Sequence, residues 1–66
     1  MIESVAHVRR TIAEGDGLLV SFAEHDAYFR AGDAVRPLFA ASDIIGRKVR
    51  FRYDAELEIL AAQLEA

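Results

Sequence analysis

No cysteine occurs among the 66 residues, so neither a disulfide nor a thiolate zinc site can hold the chain together. The only histidines, His7 and His25, are far apart in sequence and argue against an all-protein metal cage. No metal or cofactor is therefore expected. Long apolar runs are missing as well: every uninterrupted run is far shorter than the roughly 18 residues that would mark a membrane-spanning helix. The first residues, "MIESVAHVRR", lack the cationic start and following apolar stretch of a signal peptide. A cytoplasmic location without membrane attachment is the expectation. Linkers rich in Pro, Gly or Ser, low-complexity tracts and internal repeats are likewise absent, leaving nothing at which to divide residues 1–66 into more than one domain.

What is present is a globular composition, 53% apolar. A chain this short buries only about 60% of its unfolded surface, so stability must come from nearly every apolar side chain, with a partner's help where one exists. The net charge of −3 opposes strong non-specific attraction to phosphate, but the total conceals a pattern. Arg47, Lys48, Arg50 and Arg52 cluster, as do Arg9 and Arg10, while Glu56, Glu58 and Glu65 crowd the tail. Such an arrangement is either one basic face on an acidic protein or charged positions alternating along solvated strands.

The clearest strand is "RKVRFRYD", where Val49, Phe51 and Tyr53 alternate with Lys48, Arg50 and Arg52 at the period of a half-buried strand. Val5 to Thr11, Leu18 to Phe22 and Ala27 to Arg30 also favour strands by side-chain type. Gly15, Gly17, Gly32 and Gly46 fall where turns or bulges are needed. Short strands with glycine-bearing turns indicate a small antiparallel barrel or sandwich.

Two segments stay ambiguous. "DAELEILAAQLEA" reads as a helix capped by Asp54, with Leu57, Leu60, Ala61 and Leu64 on one face, which would make the domain α+β. It reads equally as a turn at Ala55 and Glu56 followed by a strand with Leu60, Ala62 and Leu64 inward. In "RPLFAASDIIG", Pro37 permits a helical turn, whereas Ile44, Ile45 and Gly46 look like an approach to the next strand.

The segments "EGDGLL", "DAYFR", "GRKVRFRYD" and "ILAAQLE" occur in an order and at separations that resemble the cold-shock domain family. In that family the first ribonucleoprotein motif reads Lys-Gly-Tyr-Gly-Phe-Ile, the second Asp-Val-Phe-Val-His, and a later strand Gly-Gln-x-Val-x-Phe. Gly15 and Gly17 match the first motif, Asp26 to Arg30 the second, and Gly46, Val49 and Phe51 the third. The resemblance covers almost the whole chain and implies an all-β, five-stranded antiparallel oligonucleotide/oligosaccharide-binding (OB) barrel. On that reading the tail is a closing strand and "RPLFAASDIIG" is the long connection that completes the barrel. It also implies binding of single-stranded RNA or DNA, by bases stacking on aromatic side chains and a basic groove holding the backbone.

The platform implied by the resemblance is depleted. Glu14 stands for the family's lysine, Asp16 for its tyrosine and Leu18 for its phenylalanine. Its Lys-Trp-Phe falls on Arg9, Arg10 and Thr11, or one position earlier, without an aromatic in either register. Tyr28 takes the place of a stacking phenylalanine and Arg30 that of a histidine, and arginine can both stack and meet phosphate. Arg9, Arg10, Arg50 and Arg52 are the further candidates for nucleic-acid contact. With Gly17 and Leu19 counted as inward, Asp16, Leu18, Val20 and Phe22 point outward. That apolar set would offer Phe22 for stacking or Leu18, Val20 and Phe22 for a homodimer or other protein contact, unless a loop or terminus covers it or a bulge changes the parity after Gly17. Phe29 and Phe51 are expected in the core.

Catalysis is not expected. His25 in "EHDAY" lies between acids whose side chains would diverge on a solvated turn, and His7 has no partner near it. No nucleophile–base signature is visible, and Gly-Asp-Gly is too short to cradle phosphate.

Overall fold

The computed structural model describes residues 1–66. Five strands form: β1 (Ile2–Glu14), β2 (Gly17–Phe22), β3 (Tyr28–Ala31), β4 (Lys48–Tyr53) and β5 (Glu58–Leu64), with one helical turn, α1 (Arg36–Phe39), between β3 and β4. They pair in the order β1-β2-β3-β5-β4, and β4 returns to β1 to close the ring. The expected five-stranded all-β architecture is thus present, with one difference. β3 and β5 run parallel, through Arg30 opposite Glu58 and Ala31 opposite Ile59, so the sheet is mixed rather than wholly antiparallel. The long β3–β4 connection lets β3 be followed, in space, by a strand of the same direction.

β1 serves two neighbours. Its first half pairs with β4 from Ile2 opposite Tyr53 to His7 opposite Lys48, and its second half pairs with β2 from Arg10 opposite Ser21 to Glu14 opposite Gly17. The register shifts between Val8 and Arg10. This bulge inserts Arg9 without a partner, so that Arg9 and Arg10 are both exposed although consecutive in sequence. Beyond Glu14, Gly15 (φ +57°) begins a two-residue turn to Gly17, the left-handed conformation that tight hairpins require at this position.

Parity on β2 is the reverse of the sequence expectation. Val20 and Phe22 are fully buried and Leu18 packs against the core, because Thr11, Val20 and Phe29 form one inward row across three strands. Leu19 and Ser21 belong to the outward rows. An apolar patch of Leu18, Val20 and Phe22, whether for stacking or for association, is therefore not on the surface.

Inside the ring the four phenylalanines of the chain meet. Phe22 stacks on Phe51 with centroids 4.4 Å apart and planes 7° from parallel, and meets Phe29 and Phe39 edge to face at 5.4 and 6.2 Å. Phe39 comes from α1 and, with Val35 and Ile44, brings the long connection into the core. Each such phenylalanine removes about 150–250 Å² from water, which a chain of this size cannot forgo. No helix is long and apolar enough to cross a membrane.

The tail is a strand, and the reason is local as well as tertiary. Asp54 Oδ1 accepts hydrogen bonds from the N–H groups of Glu56 and Glu58, both at 3.0 Å. The carboxylate chemistry that suits Asp54 to a helix N-cap thus holds a turn instead. Leu57, at φ 64°, completes that turn; its carbonyl accepts from the Arg30 N–H at 2.9 Å and its side chain packs on the core. The inward residue that begins β5 is Ile59, fully buried. A register shift pairs Tyr53 with Ile59 and Arg52 with Ala61, so Leu60 is left out of the ladder and exposed, contrary to the expected parity. Ala62 faces in opposite Phe51, and Leu64, opposite Val49, remains exposed.

Gly32 permits the parallel closure. A Cβ there would lie 2.7 Å from the Ile59 carbonyl oxygen, the same oxygen that accepts the Gly32 N–H at 3.0 Å. Only a residue without a side chain lets β3 end this close to β5.

Candidate functional site

Three strands set the candidate site by their register. Arg10, Ser21 and Tyr28 form one row across β1, β2 and β3, and Ile12, Leu19 and Arg30 form the next outward row. Adjacent strands lie about 4.8 Å apart and alternate residues on one strand about 7 Å apart. The two rows thus make a patch of roughly 10 by 7 Å, with its positive charge at two opposite corners. Tyr28 is 46% exposed, so nearly half of its surface is within reach of a ligand. The bulge adds Arg9 beside Arg10. The stem of Arg30 crosses over Gly17, where a Cβ would come 3.9 Å from its Cδ.

Arg9, Arg10 and Arg30 hold no ion pair within the chain. Glu58, across the parallel pairing from Arg30, is the nearest acid in the register, and Glu14 and Asp16 lie at the hairpin tip. The surface therefore offers one aromatic plane, three guanidinium groups without intramolecular partners, and an apolar centre of Ile12 and Leu19.

Arg50 and Arg52, expected at the same surface, lie on the other side of the ring, in rows with Val5 and Gln63 and with Glu3 and Ala61. Arg50 is held by two acids: Nη1 donates to Glu3 Oε2 at 2.7 Å, while Nε and Nη2 donate to Glu65 Oε2 at 2.9 and 2.6 Å. The hydrogen bonds from Glu65 and then Glu3 raise the guanidinium's pKa further, and Arg50 in turn holds the Glu65 carboxyl below the usual carboxylate range. Arg52 Nε sits 3.8 Å from Glu3 Oε1. A shallow hollow between these groups is lined by Glu3, Arg50, Arg52 and Gln63 over Phe51, Ala61 and Ala62. Its positive charge is already answered. Phe22, the remaining expected contact, is in the core.

Both histidines have partners that their sequence neighbours do not reveal. The His7 Nδ1–H donates to Glu24 Oε2, and the His7 backbone N–H donates to Glu24 Oε1 at 2.8 Å. A carboxylate can only accept, which assigns the proton to Nδ1. These bonds, the side-chain one first, lower the Glu24 pKa. His7 thus has a partner after all, seventeen residues away. His25 is half-buried rather than solvated: its Nε2 lies 3.0 Å from Ser4 Oγ, and its ring meets Phe29 edge-on at 5.2 Å. The two contacts fix the β2–β3 loop onto β1 just before Tyr28. No three His, Cys, Asp or Glu side chains converge as metal ligands would.

Three members of the patch have no counterpart in the motif-based expectation: Leu19 and the buried Ser21, which form its middle on β2, and Ile12 at a corner on β1. The available signal was a choice of parity on β2, since Leu18, Leu19 and Val20 are all apolar and alternation there is silent. No protein-family model, curated protein or solved structure matches the chain.

Proposed function

We propose that the chain is a cold-shock-like OB barrel that binds single-stranded RNA or DNA weakly, in the cytoplasm and without catalysis, through Tyr28, Arg30, Arg10 and Arg9. The five strands closing into one ring, with β1 shared between β2 and β4, support the OB reading, since that fold is a small five-stranded barrel. The observation that carries the functional reading is the row geometry. A solvent-facing tyrosine on β3 shares one face with unpaired arginines on β1 and β3, around β2 and β3, the strands to which the resemblance assigns the ribonucleoprotein motifs.

Stacking on one ring contributes about 1–3 kcal/mol per base. With a single ring and a net charge of −3, affinity falls in the range of non-specific binding, a Kd of roughly 10⁻⁴–10⁻⁶ M. Titration of a short pyrimidine-rich oligonucleotide at low salt tests this. Binding that weakens as salt rises and is lost in Tyr28→Ala supports the proposal; no binding at the weak end of that range removes it. The half-buried Ile12 and Leu19 beside Tyr28 favour a second reading, a protein contact on the same face. Leu19→Ser separates the two, because it weakens a protein contact and leaves the stacking plane and the arginines in place.

A further inference from the structure

The second half of β1 has a free edge. Arg10 to Glu14 pair only with β2, and no other backbone hydrogen bond reaches Arg9–Glu14 from any turn, loop or side chain. On the preceding residue the far edge is occupied, for the Val8 N–H donates to the Arg47 carbonyl at 2.9 Å and its carbonyl accepts from Gly46 at 2.7 Å. Past the bulge that cover ends. Glu14 and Gly17 flank a two-residue turn, which makes them a hydrogen-bonded pair, and alternation then directs Arg10 and Ile12 to β2 and Thr11 and Ala13 to the open edge. A strand edge of this kind is a template for another strand.

We propose that this edge pairs antiparallel with the same edge of a second copy of the chain, about a two-fold axis at Ile12. The sequence of the edge selects that occupant and that register. With Ile12 opposite Ile12, Arg10 falls opposite Glu14 of the second copy and Glu14 opposite its Arg10, so each pair joins opposite charges. Thr11 and Ala13, whose backbone groups point to the open edge, fall opposite one another and exchange hydrogen bonds on both sides of the axis. The Ile12 and Arg10–Glu14 pairs are the non-hydrogen-bonded ones, where side chains approach most closely. Moving the axis by one residue loses the charge match: centred on Thr11 it sets Arg10 against Ile12, and centred on Ala13 it sets Glu14 against Ile12. Neither Arg10 nor Glu14 has an ion pair inside the chain to give up. Such an interface is isologous and closes at two copies, which spares the edge from open-ended strand addition. Tyr28 and Arg30 lie two strands away and remain exposed in the dimer, whereas Arg10 is shared: Glu14 of the second copy engages it in the dimer, and it is open to an oligonucleotide only in the monomer.

Sedimentation of the full chain over a wide concentration range, without nucleic acid, tests the proposal. The parent chain is expected to show a reversible monomer–dimer equilibrium. Arg10→Glu and Glu14→Arg each bring like charges together and should weaken association by at least about tenfold. An equimolar mixture of those two variants restores the charge match in a heterodimer and should recover association. Ala13→Pro removes an edge N–H that β2 does not use and should give a monomer with a strand-rich circular dichroism spectrum like the parent's. A parent chain that is monomeric at millimolar concentration overturns the proposal. So does association that survives in both charge variants or fails to return in their mixture.

Discussion

Arg50 on one side of the ring and Arg30 on the other are both exposed arginines on alternating strands, and each has glutamate near it in the register. Around Arg50, Glu3 on β1 and Glu65 just past β5 together engage all three guanidinium nitrogens. Around Arg30, Glu58 is directly across the parallel pair, yet no carboxylate comes within ion-pair distance. Arg10 is equally free. Residue type, exposure and the directly opposite residue therefore do not decide whether a cation is available to a ligand. Arg50 faces Val5 and Gln63 and is held by the diagonal acids Glu3 and Glu65, whereas Arg30 faces Glu58 and stays free. The β1-β4-β5 side spends its charge on holding the strands together, and the β1-β2-β3 side leaves its charge beside Tyr28.

The largest effect should come from destroying what the two sides share. Phe22→Ala, in the centre of the phenylalanine cluster, is expected to cost about 3–5 kcal/mol, comparable with the entire stability a core of this size supplies. Urea titration should find it largely unfolded, with both sides lost together. Gly32→Ala comes next. Its Cβ would press on the Ile59 carbonyl, and forcing β3 away from β5 should cost about 1–3 kcal/mol in the same assay.

The comparison itself is tested on binding. Tyr28→Ala should lose about 1–3 kcal/mol of oligonucleotide affinity while retaining the parent's thermal midpoint. Arg50→Ala should do the reverse, lowering the midpoint and leaving affinity nearly unchanged. Acid sharpens the same contrast. Glu65 and Glu24 have carboxyl pKa values lowered in the folded chain, by Arg50 and by His7 respectively. Their contribution is complete above the ordinary carboxylate pKa and is lost as pH falls through the lowered folded values. Thermal midpoints measured from neutral to acid pH should decline, and the decline should be shallower in Glu24→Gln and in Arg50→Ala. The smallest change is Glu58→Gln: removing the acid beside Arg30 should tighten oligonucleotide binding by less than about 1 kcal/mol.

Where the strands lie was legible in the residues to the degree that alternation was strong. β4 could be read directly because Val49, Phe51 and Tyr53 alternate with cations. β2 could not, since three consecutive apolar residues, Leu18 to Val20, make both parities plausible, and the correct one follows from rows shared with Thr11 and Phe29. The tail was undecided because helical and strand spacings coincide over Leu57 to Leu64. Partners distant in sequence settled it, with Phe51 across from Ala62 and Arg30 bonding the Leu57 carbonyl. The bulge at Arg9 has no signature in the residues themselves, yet it is what exposes two arginines in succession. At the site, Tyr28 and Arg30 could be named from their motif-like setting. That Arg50 is occupied, that Phe22 is inside and that His7 meets Glu24 all depend on register and on contacts between residues far apart in the chain.

The division between the two sides is tested most directly by following every backbone amide by NMR while a short pyrimidine-rich oligonucleotide is added at low salt. Shifts are expected to concentrate at Arg10, Ile12, Leu19, Ser21, Tyr28 and Arg30, with Arg50, Arg52, Ala61 and Gln63 unmoved. Shifts centred on β4 and β5, or none at millimolar oligonucleotide, would contradict that division.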